Sequence, residues 1–289
     1  MSATSVLDGM LDLVFPKRCV VCKWAGGWLC EPCAGRLHPL PARHCRRCGA
    51  PLGRSALRSL ALLPEGSSAG AVSATTRGLG CPECRGRELS FASAAAAFCY
   101  EGPARALVTA CKFRALRSLA DDMARRAGPA FAAAYGGASG PAQRAASGFG
   151  SSLPVVTSVP AHRDHRLERG FDPAELLARR LARGAGLTYA PLLRRVRHGA
   201  RQSGLGRAAR AANVRQAFAL REDGIRVGKE LKRVIIVDDV YTTGETLNQC
   251  AQALATAGLE PHVFTFARTV RAASVPASRE QAVPKERCS

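Results

Sequence analysis

The chain has 289 residues, 47% of them hydrophobic, enough for one moderate domain plus a smaller one around a real core. Its formal net charge is +20, from 42 Lys and Arg against 22 Asp and Glu, which favours anionic partners such as nucleic acid or polyphosphates. No apolar stretch reaches membrane-spanning length and no secretory signal opens the chain, so no membrane span and a cytoplasmic location are expected.

Residues 5–15 carry an amphipathic pattern that predicts a short helix stopped by Pro16. Eight of the twelve cysteines then form four Cys-x-x-Cys pairs: Cys19/Cys22, Cys30/Cys33, Cys45/Cys48 and Cys81/Cys84. Each pair sets two thiolates on one cation at tetrahedral angles, and two pairs complete a closed four-thiolate zinc site, so the count predicts two zinc ions. Sequential pairing makes two consecutive zinc ribbons; interleaved pairing makes a cross-brace. The seven residues between the first two pairs suit a hairpin and favour the sequential arrangement. Redox chemistry would not account for four such pairs in one module. Two four-thiolate zinc ions carry a formal −2 each, which leaves residues 1–90 at only about +2. Trp24 and Trp28 lie within the first pair of knuckles and read as hairpin packing. The stretch Gly53 to Gly80 is a Ser/Ala/Gly-rich insertion.

Three parts are therefore expected: a helix and double zinc ribbon over 1–90, an α/β domain over 91–271, and a disordered tail over 272–289. In the second part, Phe91 to Tyr100 reads as a strand, Gly102 to Arg114 and Leu116 to Ala134 as helices, and Val155 to Pro160 as the next strand. The polar stretch His162 to Gly170 reads as a loop before a helix over Asp172 to Ala185. Short strands are expected at Leu192 to Val196 and near Phe218, flanking a stretch from Arg194 to Arg215 with seven arginines and no acid. Alternating strands and helices predict a mostly parallel sheet with ligands at the C-terminal strand ends.

The run Val234-Ile235-Ile236-Val237-Asp238-Asp239-Val240-Tyr241-Thr242-Thr243-Gly244-Glu245-Thr246 is the most informative stretch. Four apolar β-formers predict a strand buried on both faces, ended by two carboxylates. A Thr/Gly turn then opens a helix to Ala257, closed by Gly258, and a final strand covers His262 to Ala267. A helix N-terminus with threonine hydroxyls suits a phosphate, and the acid pair suits the vicinal hydroxyls of a ribose, with or without a divalent cation. No Gly-Lys-Ser/Thr follows, which excludes an ATP-type phosphate loop. The stretch resembles the 5-phosphoribosyl-1-pyrophosphate (PRPP) motif of type I phosphoribosyltransferases.

The cysteine knuckles, Tyr100-Glu101-Gly102-Pro103, Lys112-Phe113-Arg114, Arg169-Gly170-Phe171 and the PRPP motif occur in that order. From about Leu11 to Val270 the chain resembles the ComF (competence protein F) family, which includes GntX-type members. The resemblance implies a double zinc ribbon followed by a type I phosphoribosyltransferase-like domain with PRPP and Mg²⁺ as ligands. Asp238 and Asp239 would meet the ribose, and Val240 and Tyr241 would lead into Thr242, Thr243, Gly244, Glu245 and Thr246 around the 5-phosphate. Arg163, Arg166 and Arg169 would face pyrophosphate. Arg201, Gln202, Arg207 and Arg210 match a segment that covers the active site, and Lys112 and Arg114 match the family's Lys-aromatic-Arg triplet.

Two departures bear on function. Gly170-Phe171-Asp172-Pro173 stands where the family reads Gly-Phe-Asn-Gln; Asp172 keeps a helix N-cap and Pro173 suits the first turn. Thr242 stands where hypoxanthine–guanine enzymes carry a catalytic carboxylate, which disfavours purine salvage. The expected activity is displacement of pyrophosphate from C1 of PRPP by a nitrogen nucleophile, with inversion at that carbon. The alternative is a protein of DNA uptake in natural transformation, handling single-stranded DNA alongside DNA-uptake proteins, with PRPP as a ligand or regulator.

Overall fold

The computed structural model describes residues 17–52, 81–113, 117–136, 153–196, 217–222 and 232–270. The expected helix over 5–15, the insertion over 53–80 and the tail after Arg271 lie outside them.

The first ribbon carries a single helical turn, α1 (Glu31–Ala34). The small residues of β1 (Ser93–Cys99) let it lie close against its neighbours, and Gly102, at φ 45°, turns the chain into α2 (Gly102–Phe113). The long α3 (Arg117–Tyr135) buries Leu119, Met123, Ala127 and Phe131, spaced at helical period on one face. After β2 (Val155–Ser158) comes a helix the sequence reading takes for a loop, α4 (Arg163–Arg169). It buries nothing, so no apolar period announces it; His162 Nδ1 accepts from Asp164 N at its start, and Gly170 at φ 71° ends it.

Asp172 caps α5 (Pro173–Gly184) as its residue type predicts, accepting from Ala174 N and Glu175 N through one oxygen. Its second oxygen accepts from Ala161 N at 2.8 Å and so clamps both ends of the α4 segment together. The remaining elements are β3 (Thr188–Tyr189), an antiparallel ribbon of β4 (Leu193–Arg195) and β5 (Phe218–Leu220), then β6 (Arg233–Tyr241), α6 (Glu245–Thr256) and β7 (Glu260–Arg268).

Five strands form one sheet in the order β1-β7-β6-β2-β3, and every neighbouring pair is parallel. This is the expected α/β architecture, with helices covering both faces. Ile235 and Val237 pack with Phe264 and Phe266 beneath α2, α3 and α5, while Val234, Ile236 and Val263 pack beneath α6. All four residues Val234–Val237 are fully buried, as a β-branched run in a central parallel strand demands. Both zinc modules share these clusters: Cys19, Val20, Leu29 and Cys33 join the first, and Cys45, Cys48, Cys81 and Cys84 the second. Among the described residues no helix is long and apolar enough to cross a membrane.

Candidate functional site

Eight cysteines gather into two sets of four, Cys19/Cys22/Cys30/Cys33 and Cys45/Cys48/Cys81/Cys84, with all sulfurs of a set within 4.8 Å of one another. The pairing is sequential. Four thiolates at about 2.3 Å from a tetrahedral zinc stand about 3.8 Å apart. Here Cys22 and Cys30 are 3.5 Å apart, Cys48 and Cys81 3.5 Å, Cys81 and Cys84 3.7 Å, and Cys45 and Cys84 3.8 Å. The donor sets therefore fit zinc without rearrangement. The two sites differ in exposure: all four cysteines of the second are buried, whereas Cys22 is open to solvent.

The acid pair stands inside β6 rather than at its end, because Val240 and Tyr241 extend the ladder opposite Ala267 and Arg268. The two carboxylates have different surroundings. Asp239 is buried and receives the Lys112 ammonium at 2.8 Å from the end of α2. Burial alone would pull Lys112 down; the adjoining Asp239 and Asp238 charges outweigh it and leave Lys112 raised. Asp238 is half-buried, and its Oδ1 accepts from Asp239 N at 2.8 Å. Burial first, then the Asp239 charge, push the Asp238 carboxyl well above the usual range. The pair thus consists of one lysine-bound carboxylate and one neighbour whose carboxyl is pushed upward by burial and by the adjacent charge.

Beyond Tyr241 the segment opens to solvent: Thr242, Thr243, Glu245 and Thr246 are exposed, while Gly244 is buried at φ 77° and begins α6. A Cβ on Gly244 would stand 2.3 Å from the Tyr241 hydroxyl, so only glycine fits this turn. Gly244 has no side chain to cap α6; the Thr243 hydroxyl accepts from Glu245 N at 3.4 Å instead. Leu247 and Cys250 point into the core.

Of the expected basic residues, Lys112 pairs with Asp239, and Arg169 lies over the ring of Phe113, the next residue after Lys112. The Arg169 guanidinium lies 5.9 Å from the centroid of the Phe113 ring, which is 77% exposed. Arg163 and Arg166 project into solvent from α4, with exposed His162 and His165 beside them. Arg114, Arg201, Gln202, Arg207 and Arg210 lie outside the described residues.

Sequence reasoning missed the residues beneath the loop. Arg87, just past the last zinc knuckle, donates to Thr243 O at 2.6 Å. Asn248, in the first turn of α6, accepts from Ser90 N at 2.7 Å and donates to Glu88 O at 3.0 Å. Arg268 is 2% exposed and lies with its guanidinium carbon 3.9 Å from the centre of the Tyr241 ring. One signal pointed to Arg268, a lone charge directly after the apolar run Val263–Ala267.

A separate cleft of about 760 Å³ lies between the first ribbon and α3, lined in part by Lys17, Trp24, Trp28, Ser118 and Arg125. Trp28 donates to Ser118 Oγ at 3.0 Å and docks the ribbon, but Trp24 is 52% exposed, contrary to the expectation of hairpin packing for both. A tip residue of so small a ribbon has no second layer to cover it.

Residues 10–85 match the double zinc ribbon domain family. Competence protein F of Haemophilus influenzae is 34% identical over 110 residues, 37% of this chain and 46% of that protein. DNA utilization protein YhgH of Salmonella typhi and of Salmonella typhimurium is 32% identical over 117 residues, 40% of this chain and 49% of theirs. The chain spans about half the length of the curated relatives it matches. The resemblance read from its motifs, to the ComF/GntX group of proteins with a double zinc ribbon, is borne out.

Proposed function

We propose that this chain is a PRPP-binding protein in which the segment Thr242–Thr246 holds the 5-phosphate and Asp238 with Asp239 holds the ribose. One observation carries the reading. Gly244 at φ 77° makes the exposed Thr242–Thr246 turn the N-terminus of α6, directly beyond an acid pair in the central strand. Carboxylates accept from sugar hydroxyls, and outward amides with threonine hydroxyls donate to phosphate oxygens. Lys112 and Arg169 supply positive charge on the neighbouring side, where a pyrophosphate would lie.

Phosphoribosyl transfer to a nitrogen nucleophile is the reaction such a site suits. The C1–O bond to pyrophosphate breaks as the C1–N bond forms, pyrophosphate leaves as the anion, and the nucleophile's proton passes to solvent. Mg²⁺, when bound through a carboxylate and the ligand's own phosphates, would neutralise charge on the departing group. Lys112 pairs with Asp239 beside the place a ribose hydroxyl would take, and the domain would act in the cytoplasm, where PRPP is made.

The test is calorimetric titration with PRPP and Mg²⁺ of the wild type and of Asp238→Asn/Asp239→Asn. Binding by the wild type that the double variant loses, with zinc content unchanged, is expected. Equal binding by both would refute the assignment.

A second reading, a protein that handles single-stranded DNA, draws on the exposed Trp24 beside Lys17 and Arg125 in the ribbon cleft. An exposed aromatic face near lysine and arginine is what unpaired bases stack on, and here Glu31, Asp121 and Asp122 line the same cleft, with Arg125 paired to Asp122. The printed names of the relatives, competence and DNA utilization, point the same way. Fluorescence anisotropy with a labelled oligonucleotide decides it: Trp24→Ala should weaken binding, and affinity should fall steeply with salt.

A further inference from the structure

The second four-cysteine site and the Thr242–Thr246 loop are joined by an unbroken series of contacts. Arg268 ends β7 opposite Tyr241. Its Nη1 donates to the Cys48 carbonyl at 2.7 Å, and its Nη2 to Glu83, between Cys81 and Cys84, at 2.9 Å. The same guanidinium packs on the Tyr241 ring, and that ring occupies the space any side chain at position 244 would need. A second route runs through Arg47, which donates to Cys84 O at 3.2 Å and to Arg87 O at 2.8 Å, while Arg87 donates to Thr243 O. The first four-cysteine site is tied elsewhere, to α3 through Trp28–Ser118 and through Arg126 to Leu29 O.

A left-handed turn of outward amides binds an anion well only if its surroundings hold it in that shape beforehand. Zinc binding to a ribbon is folding energy, so the carbonyl of Cys48 and the carboxylate of Glu83 are anchored only when the metal is present. We propose that the second zinc site is the mechanical base of the phosphate loop, with Arg268 as the positioning residue between them. Affinity for a sugar phosphate therefore depends on the metal held by Cys45, Cys48, Cys81 and Cys84. This rests on the phosphate-loop reading above, and it gives one of two otherwise similar zinc ions a part in ligand binding.

Such coupling is reciprocal: if the metal tightens the ligand, the ligand must tighten the metal by the same factor, commonly about 5- to 150-fold. The experiment follows zinc leaving the holo-protein to a coloured chelator, with and without saturating PRPP and Mg²⁺, alongside calorimetry of PRPP binding. PRPP should slow the release of one zinc of the two by about tenfold and leave the other unchanged. Arg268→Met should still bind two zinc ions, lose this protection, and bind PRPP about tenfold more weakly. Arg87→Ala, which removes the side chain that touches the loop and keeps the backbone bond from Arg87 N to Cys84 O, should lose protection in the same direction and carries the test if Arg268→Met does not fold. PRPP binding with unchanged release of both ions would overturn the coupling and leave the phosphate-loop reading intact. Protection retained in both variants would overturn the route through Arg268 and Arg87. No PRPP binding by the wild type would overturn the phosphate-loop reading and the coupling with it.

Discussion

The Lys112 ammonium, at the last turn of α2, is held 2.8 Å from the Asp239 carboxylate in the central strand. It gives a role to a triplet whose chemistry the sequence did not explain. Removing it in Lys112→Met leaves two adjacent carboxylates without their cation. Loss of one partner from a fully buried pair costs about 3–5 kcal/mol; since Lys112 is about a third exposed, about 1–2 kcal/mol is expected in urea denaturation. PRPP affinity should fall about tenfold, because the cation that offsets the acid pair beside an anionic ligand is gone. Unchanged affinity would detach Lys112 from the site.

Gly244→Ala meets both a left-handed backbone and a Cβ 2.3 Å from the Tyr241 hydroxyl. We expect a loss of about 1–3 kcal/mol in stability and PRPP binding below detection, with zinc content intact. An alanine variant that binds PRPP normally would show that the turn does not hold the phosphate.

The two zinc sites should empty in order. Cys22 is exposed and Cys30 half-buried, whereas Cys45, Cys48, Cys81 and Cys84 are all buried. A chelator in excess should withdraw zinc in two phases without ligand, the fast one lost in Cys30→Ser/Cys33→Ser. A single phase in the wild type would contradict the difference in burial.

His262 supplies the pH dependence. Burial draws its imidazole down from 6.5 to about 4, with Nδ1 2.8 Å from Ser93 Oγ. The unfolded chain therefore takes up a proton first, so this contribution is complete above pH 6.5 and lost as pH falls toward 4. Between pH 7 and 5 the loss is about 2 kcal/mol. Urea denaturation at fixed free zinc should show a shallower decline for His262→Asn than for the wild type; parallel curves would exclude His262 as the titrating group.

What the sequence made legible was whatever local pattern controls. Val234–Val237 announced a central parallel strand by β-branched residues alone, and Asp172 announced its helix by capping chemistry. The cysteine knuckles announced their metal by thiolate spacing, and the seven residues between the first two pairs favoured the sequential pairing that the fold then decided over a cross-brace. What stayed hidden depends on distant partners. Helix α4 carries no apolar stripe and is held by His162, Gly170 and the clamp from Asp172 to Ala161. The continuation of β6 past its acids is decided by Ala267 and Arg268 across the ladder. Arg87 looks like any other arginine in so basic a chain, and the lone charge of Arg268 after its apolar strand does not tell its partners, until the fold sets both beneath the Thr242–Thr246 segment.

The bond from Arg268 to Cys48 also spans 220 residues of chain. During synthesis the first ribbon can close as soon as Cys33 leaves the ribosome, whereas the second gains its arginine only when the last strand has been made. A truncated chain ending before β7 would thus own all eight cysteines and still lack the buttress of its second metal. The N-terminal module registers whether the C-terminal strand has arrived, and an incomplete product is marked by its own loosely held zinc.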